Sequence, residues 1–390
     1  MKSIELFTGA GGLALGLASA GVRHEYLIER NDDACRTLLG NLQDGPECMR
    51  DWKVFWGDVR SFDYSPFESK VEIVGGGPPC QPFSLGGKHG GNLDGRDMFP
   101  EAVRAVAALK PKVFVFENVK GLLRQSFSSY FEYILLRLKY PELTTKGGEA
   151  WHEHLSRLEK YHTKGRHDGL FYRVVFRLLN AADYGVPQMR HRVFIVGFRC
   201  DLNREWSFPR ETHSLDSLLY SQFVSGEYWD QHKVPKKQRA TPSTRYQSRV
   251  DRLRSEFRFL APPLKRWNTV RDAIGDLPAP TRNGSAKLLN HIYRDGARSY
   301  PGHTGSPLDE PSKALKAGVH GVPGGENMLR YPDGRVRYYT VRESARIQTF
   351  PDAFHISGSW TEAMRQIGNA VPVKLAQRVG AAVVDHVSKN

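Results

Sequence analysis

Apolar residues fall along this chain in short runs, each of which ends on a glycine, an acid or an amide. Residues 3–7, 26–28, 54–56, 71–74 and 112–116 have this form, running into Thr8-Gly9, Glu29, Gly57-Asp58, Gly75 and Glu117-Asn118. Runs this short and this apolar predict strands buried on both faces. Between the first two, residues 13–20 predict a helix that stops at Gly21. Residues 102–109 predict another, and two later strands are expected at 172–178 and 192–198. Strands alternating with helices give an α/β fold whose sheet is covered on both faces. The polar residues sit just past the strand ends, where ligands bind in open α/β sheets.

The pattern changes twice. Residues 125–170 read as a helical insertion. From 199 to 337 the alternation is lost, and Pro, Ser, Arg and Gly become frequent. That stretch predicts a second, smaller domain. Helical periodicity returns at 341–349 and 373–387. The expected division is therefore 1–198 with 338–390, and 199–337. No stretch approaches ~20 uninterrupted apolar residues, so no membrane span is expected.

Composition narrows the class. The chain has 390 residues, 40% hydrophobic and 25% charged, as in ordinary soluble proteins. Its four cysteines, Cys35, Cys48, Cys80 and Cys200, form no C-x-x-C pair. That points to a reducing cytoplasm and to no structural zinc. His152-Glu153-His154 lacks the i, i+4 spacing of a zinc helix and reads as a solvated helix face. No metal is expected. The net charge is +14, and residues 233–271 hold twelve Lys/Arg against two Asp/Glu. Tyr246, Phe257, Phe259 and Trp267 are interleaved there. Such a block suggests a nucleic-acid partner, with a solvated basic linker as the alternative.

The candidate chemistry begins at Gly75-Gly76-Gly77-Pro78-Pro79-Cys80-Gln81-Pro82-Phe83-Ser84. Two prolines make a stiff corner, and glycines before it allow a large molecule to approach. Cys80 is thereby presented as a nucleophile. Phe7-Thr8-Gly9-Ala10-Gly11-Gly12 is a glycine turn after a strand but not the dinucleotide fingerprint, so it does not imply phosphate. Glu29 fits a ribose acid and Asp58 an acceptor for an adenine amine, as in an adenosine without phosphate. S-adenosylmethionine meets that description. Glu117, held neutral by burial, would complement N3 and N4 of a cytosine. Strand alternation would put Arg190 and Arg192 on one face, where one could hold an anionic oxygen.

Taken in order, these segments and three more resemble the C5-cytosine DNA methyltransferases of bacterial restriction-modification systems. The further segments are Gln188-Met189-Arg190-His191-Arg192, Arg342-Glu343-Ser344-Ala345-Arg346-Ile347-Gln348-Thr349-Phe350-Pro351 and Gly368-Asn369-Ala370-Val371-Pro372. The resemblance implies a Rossmann-like methyltransferase domain with a mixed sheet, and an irregular target-recognition domain at 199–337. It implies S-adenosylmethionine as cofactor, double-stranded DNA as partner and a cognate endonuclease acting on the same site. A monomer in the bacterial cytoplasm, associated with the nucleoid, is the accompanying expectation. Cys80 would attack C6 of a flipped cytosine, with Glu117 and Arg192 around the base and Ser84, Asn118 and Val119 beside it. Phe7, Gly9, Gly11, Gly12, Glu29, Asp58, Pro79 and Asn369 would hold the cofactor. Arg30 stands where the family often has a large aromatic residue. Residues 84–95 would form a lid, and the last helix would return to the first domain.

Three other readings compete with this one. A catalytically silent DNA binder is disfavoured by the joint presence of Cys80, Glu117 and Arg192. An RNA cytosine methyltransferase is disfavoured by the long basic segment. An oxidoreductase lacks its dinucleotide fingerprint.

Overall fold

The computed structural model describes residues 1–79, 97–165, 169–202, 205–258, 260–284, 288–317 and 327–388. Cys80, Ser84, the expected lid at 84–95 and Phe259 lie outside the described residues. The chain divides into two compact units. One comprises Met1–Leu179, His191–Pro209 and Pro351–Asn390, and the other Asn180–Arg190 and Arg210–Phe350. The division differs from the expected one at its edges. Residues 180–190 and 338–350 belong with the second unit, and residues 199–209 with the first.

The first unit is built on seven strands: β1 (Lys2–Leu6), β2 (Arg23–Glu29), β3 (Val54–Trp56), β4 (Ile73–Gly76), β5 (Val113–Val119), β6 (Tyr172–Asn180) and β7 (His191–Arg199). Their order is β3-β2-β1-β4-β5-β7-β6. The first five are parallel to their neighbours, and β7 runs antiparallel to β5. The sheet is therefore mixed. Strand order reverses between β1 and β4, so a crevice opens at the carboxyl ends of those two strands.

Among the described residues up to 165 there are five α-helices: α1 (Gly12–Ser19), α2 (Asp32–Asp44), α3 (Phe99–Leu109), α4 (Ser128–Lys139) and α5 (Trp151–Thr163). Helix α1 has no charged residue, and six of its eight are buried. Its glycines let another helix come close. A Cβ on Gly16 would lie 2.3 Å from Ala376 Cβ, and one on Gly12 2.3 Å from the Val371 carbonyl. The helix Val373–Ser388 thus docks on α1, as the resemblance implied, and carries residues 369–371 to the glycine turn. Helix α2 starts where Asn31 accepts from the Ala34 N–H at 3.0 Å, with Asp32 and Asp33 in its first turn.

On the opposite face, Ala102, Val103, Val106 and Leu109 of α3 pack with Ile4, Leu6, Val74, Phe114 and Phe116. The same core includes Phe131, Ile134 and Leu138 of α4 and Leu155 and Leu158 of α5. Residues 125–170 are therefore not a peripheral insertion, because their apolar faces complete this layer. His154 is not on a solvated face either. It is fully buried, with Tyr133 Oη at 2.9 Å and the Leu143 carbonyl at 2.9 Å.

The second unit contains little regular structure. Three short strands, Ser306–Pro307, Met328–Arg330 and Val336–Tyr338, form one sheet, and His213–Ser214 pairs with Lys265–Arg266. Leu218, Tyr228, Trp229 and Trp267 make a compact core. The basic block 233–271 is folded rather than a linker. Seven of its arginines are ion-paired: Arg239 with Asp230, Arg245 with Glu310, Arg249 and Arg252 with Asp216, Arg254 with Asp251, Arg266 with Asp272 and Arg271 with Asp309. Its aromatics serve packing. Trp267 is buried, Phe257 and Tyr246 pack beside Leu219, Val250 and Leu253, and Arg245 lies over the Tyr246 ring.

Candidate active site

A cavity of about 560 Å³ opens at the switch point of the sheet, lined entirely by the first unit. Its wall includes Phe7, Gly9, Gly12, Glu29, Arg30, Asp58, Pro79, Glu117, Asn118, Val119, Arg192 and Asn369. Twelve of the residues expected from sequence therefore meet in one place.

The glycine turn is held by its own backbone and by Glu29. Phe7 has φ +55°, Gly9 φ +56° and Gly11 φ +81°. That conformation is routine for glycine and strained for phenylalanine, and it occurs at the cavity wall. Thr8 N–H donates to the Ile28 carbonyl at 3.2 Å and Gly11 N–H to the Thr8 carbonyl at 3.0 Å. The Glu29 carboxylate accepts from the backbone N–H groups of Gly9 (2.8 Å), Arg30 (2.9 Å) and Asn31 (2.8 Å). It ties the end of β2 to the turn after β1. Of its roughly four acceptor positions, about one remains for an incoming hydroxyl.

Asp58 caps the turn Val59–Ser61, accepting from Arg60 N–H at 3.0 Å. Its two oxygens are also held by the Arg60 guanidinium, at 2.9 and 2.6 Å. These hydrogen bonds hold its carboxyl far below the usual range, with Arg30 adding to them. Arg30 Nη1 lies 3.6 Å from Asp58 Oδ2. The residue that replaces the family's usual aromatic thus leans on the acid expected to read the adenine.

The corner that leads to Cys80 is fixed from two sides. Asn118 Nδ2 donates to the Pro78 carbonyl at 2.9 Å, while its Oδ1 accepts from Val119 N–H at 2.9 Å. Met98 N–H donates to the Pro79 carbonyl at 3.0 Å. The two flanks of residues 80–96 are thus joined directly. Gly77 leaves room for the acid, since a Cβ there would lie 3.5 Å from Glu117 Oε2.

Glu117 and Arg192 form the most buried ion pair of the cavity. Arg192 Nε lies 2.7 Å from Glu117 Oε1, and their side chains are 13% and 9% exposed. Burial lowers the Arg192 pKa, and Glu117 opposes that effect. Arg192 also donates from Nη1 to the His191 carbonyl at 2.9 Å.

Arg190 is not part of this site. It belongs to the second unit, is fully buried, and donates from Nη1 to the Leu315 carbonyl at 2.8 Å. The expected alternation fails because β7 begins at His191, so Arg190 precedes the pleat. The cavity also includes Glu5, Met98, Arg365 and Gln366, which the sequence reading passed over. Glu5 carried a legible signal, an acid inside an apolar strand. Arg365 carried none, because its partner Glu362 reads as an ordinary i, i+3 helix pair.

Comparison with known proteins agrees with this geometry. The profile of the C-5 cytosine-specific DNA methylase family matches residues 1–141 and 151–385. The chain is 33% identical over 389 residues to the Type II methyltransferase M.Eco47II of Escherichia coli, covering 99% of this chain and 79% of that one. It is 30% identical over 391 residues to the Type II methyltransferase M.NgoMIV of Neisseria gonorrhoeae, covering 99% and 98%. In fold it is similar to the S. pombe Dnmt2 methyltransferase, with a TM-score of 0.57 at 16% identity over 99% of both chains. The chain belongs to the C-5 cytosine-specific DNA methylase family and is a DNA (cytosine-5-)methyltransferase of the restriction-modification type.

Proposed function

We propose that this methyltransferase modifies one cytosine within a specific double-stranded DNA sequence and protects host DNA from a cognate endonuclease. One observation carries the reading: the Glu117–Arg192 pair and the glycine turn with Glu29 and Asp58 line the same cavity. A base site and a nucleoside site within one cavity are what methyl transfer to a base needs.

The residues fit S-adenosylmethionine, which supplies an electrophilic methyl group when bound. Phe7 offers a ring at the wall, Glu29 an acceptor for a ribose hydroxyl, and Asp58 an ionised acceptor for an adenine amine. Gly9, Gly11 and Gly12 allow close approach, and Pro79, Asn369 and Arg30 complete the enclosure. The close packing of Gly12 on Val371 supports a cradle that a larger residue would fill.

The target cytosine is turned out of the duplex, because C5 and C6 are inaccessible in the stack. The Cys80 thiolate adds to C6, and electron density moves to C5. Glu117 bonds N3 and N4 while Arg192 holds O2. Holding N3 needs a proton between N3 and the Glu117 carboxyl, which lies 2.7 Å from Arg192 Nε. C5 would then take the methyl group as its bond to the sulfonium sulfur breaks, leaving S-adenosylhomocysteine. A base removes the C5 proton, and loss of Cys80 restores the ring. Asn118 positions the corner and Val119 lines the same cavity, and the resemblance would put Ser84 beside the base as well. The resemblance would make 84–95 the lid and the second unit the part that recognises the target sequence.

The test is base-resolution 5-methylcytosine sequencing of host DNA after expression of the wild type and of Cys80→Ala. One short motif methylated by the wild type alone is the expected result. Methylation retained in the variant would overturn the nucleophile. Methylation in neither, with tRNA modified in vitro, would move the substrate to RNA.

A further inference from the structure

Nine large apolar side chains of the described residues are exposed, and three of them, Leu289, Ile292 and Tyr300, fall within one short segment of the second unit. Scattered singly, such residues mean little, but gathered together they mark a surface that a partner covers. The same segment carries the exposed arginines Arg282, Arg294 and Arg298. Arg282 is held by Asp295 at 2.7 Å. Arg298 has no carboxylate partner among the described residues.

The segment is fixed at both ends and exposed between them. His291 is buried, with Nδ1 3.0 Å from Thr340 Oγ1 and Nε2 2.8 Å from the Pro278 carbonyl. At the far end Ser306 is buried, and its Oγ accepts from Lys313 N–H at 3.0 Å. Between these anchors, Tyr300-Pro301-Gly302-His303 has the letters of a type II turn, with proline second and glycine third. Gly302 takes the positive φ that such a turn needs, +82°. Tyr300 and His303 exchange both backbone hydrogen bonds, at 3.3 and 2.8 Å. The Tyr300 ring is 48% exposed, yet it lies against the His303 ring with centroids 4.4 Å apart. It is therefore already held in one place, and an aromatic so held loses little freedom on binding.

We propose that residues 292–303 read bases of the target sequence, and that Arg298 does so at a guanine. This rests on the proposed methylation of a specific duplex sequence. The chemistry of the cation singles out the base. A guanidinium is a planar fork that matches the O6 and N7 acceptors of guanine, both of which lie in the major groove. The exposed cations of block 233–271 without a carboxylate partner are four lysines and Arg258. Lysine is a point charge, suited to phosphates that carry no sequence information. Exposed apolar side chains such as Ile292 also suit a groove, because thymine presents a methyl group there. Arg298 thus supplies the discrimination, and Tyr300 a fixed surface two residues away.

The experiment methylates a library of duplexes randomised around a cytosine and reads the products by 5-methylcytosine sequencing. The proteins are the wild type, Arg298→Ala and Arg298→Lys. Arg298→Ala should still methylate, but its preference for guanine at one position should fall by about ten- to a hundredfold, with the other positions unchanged. Arg298→Lys keeps the charge without the fork and should recover little of that preference. 7-Deazaguanine at the same position lacks the N7 acceptor. It should weaken wild-type binding by about three- to tenfold and leave binding by Arg298→Ala unchanged. A motif unaltered in Arg298→Ala, a wild type indifferent to 7-deazaguanine there, or an equal loss on every sequence restored by lysine would overturn the inference while leaving the methylation reading intact. A wild type that methylates no particular sequence would overturn both.

Discussion

Arg192 reaches Glu117 diagonally across the antiparallel junction of β5 and β7, Nε to Oε1 at 2.7 Å. Glu117 is registered opposite Phe194 and Val119 opposite Arg192, so the two charged side chains are diagonal neighbours on one face. A parallel β7 would bring a different end of the strand to this place. The pair thus depends on the strand reversal that makes the sheet mixed.

Removing one member strands the other in a buried place. Glu117→Gln and Arg192→Met should each destabilise the protein by about 3–5 kcal/mol. The double variant should lose clearly less than the sum, with a coupling of roughly 0.5–3 kcal/mol. Urea denaturation of the four proteins measures this directly. Additive losses would mean that the pair holds nothing together.

Asn118 makes its contribution through Pro78. Asn118→Ala releases the Pro78 carbonyl and loosens the corner before the thiol. We expect kcat to fall by about tenfold or more, because small displacements of a reacting group are costly. The dissociation constant of S-adenosylhomocysteine should change by less than about twofold. Asn118→Asp loses the donor but keeps the acceptor for Val119 N–H, so it should resemble the alanine variant. A selective loss of cofactor affinity would assign Asn118 a different role.

Much of this site was legible because its residues stand at strand ends, where a run of apolar letters stops on a polar one. Glu29, Asp58, Glu117 and Asn118 all have that signature. Its limits are equally physical. Arg190 and Arg192 look equivalent in sequence, and only the start of the pleat at His191 separates them. Glu5 is hidden because it lies inside the apolar run 3–7 and not at its end. Residues 125–170 were legible as helical, but not as part of the main core, because their apolar positions complete a layer contributed mostly by distant strands. The second unit was recognised by what it lacked, and its ion pairs link residues as far apart as Arg245 and Glu310.

The glycines of α1 are demanded by the helix Val373–Ser388. Gly16→Ala would place a methyl 2.3 Å from Ala376 Cβ and 2.6 Å from the Val373 carbonyl, so one helix has to move. Overpacking of this kind costs about 1–3 kcal/mol. The melting temperature should fall, and cofactor affinity with it, because Asn369 and Val371 precede the displaced helix. Gly9→Ala has open space around its Cβ but a positive φ, and should cost only about 1 kcal/mol. Equal losses at both positions would count against the packing argument.

His24 links stability to acid. Its ring is buried between Ser3 and the Ala14 carbonyl, edge-on to Trp52. Burial pushes its pKa down from 6.5 to about 4. The folded protein keeps the ring neutral, whereas the unfolded chain protonates it below about 6.5. Stability from this residue is therefore complete above pH 6.5 and is lost as pH falls towards 4, by about 3 kcal/mol. Denaturation curves between pH 7 and 4 should show that slope in the wild type and a shallower one in His24→Gln. Identical slopes would show that other groups govern acid stability.

The basic block leads to a sharper expectation about DNA than its composition did. Seven of its twelve cations already have carboxylate partners, so their charge is largely spent within the fold. Lys233, Lys236, Lys237, Arg258 and Lys265 are exposed. Among the described residues no carboxylate pairs with them. These five are the candidates for phosphate contact. Each that touches a phosphate contributes about 0.9 to the slope of log affinity against log salt. Replacing Lys233, Lys236 and Lys237 together by alanine should flatten that slope and weaken binding to all duplexes alike, leaving the choice of sequence unchanged. Replacing Arg249 and Arg252 should leave the slope nearly unchanged, since their partner Asp216 is freed at the same time. Fluorescence anisotropy of a labelled duplex over a salt series separates the two outcomes. A slope flattened by the arginine variant and not by the lysine variant would put the DNA on the paired helix Thr244–Glu256 instead.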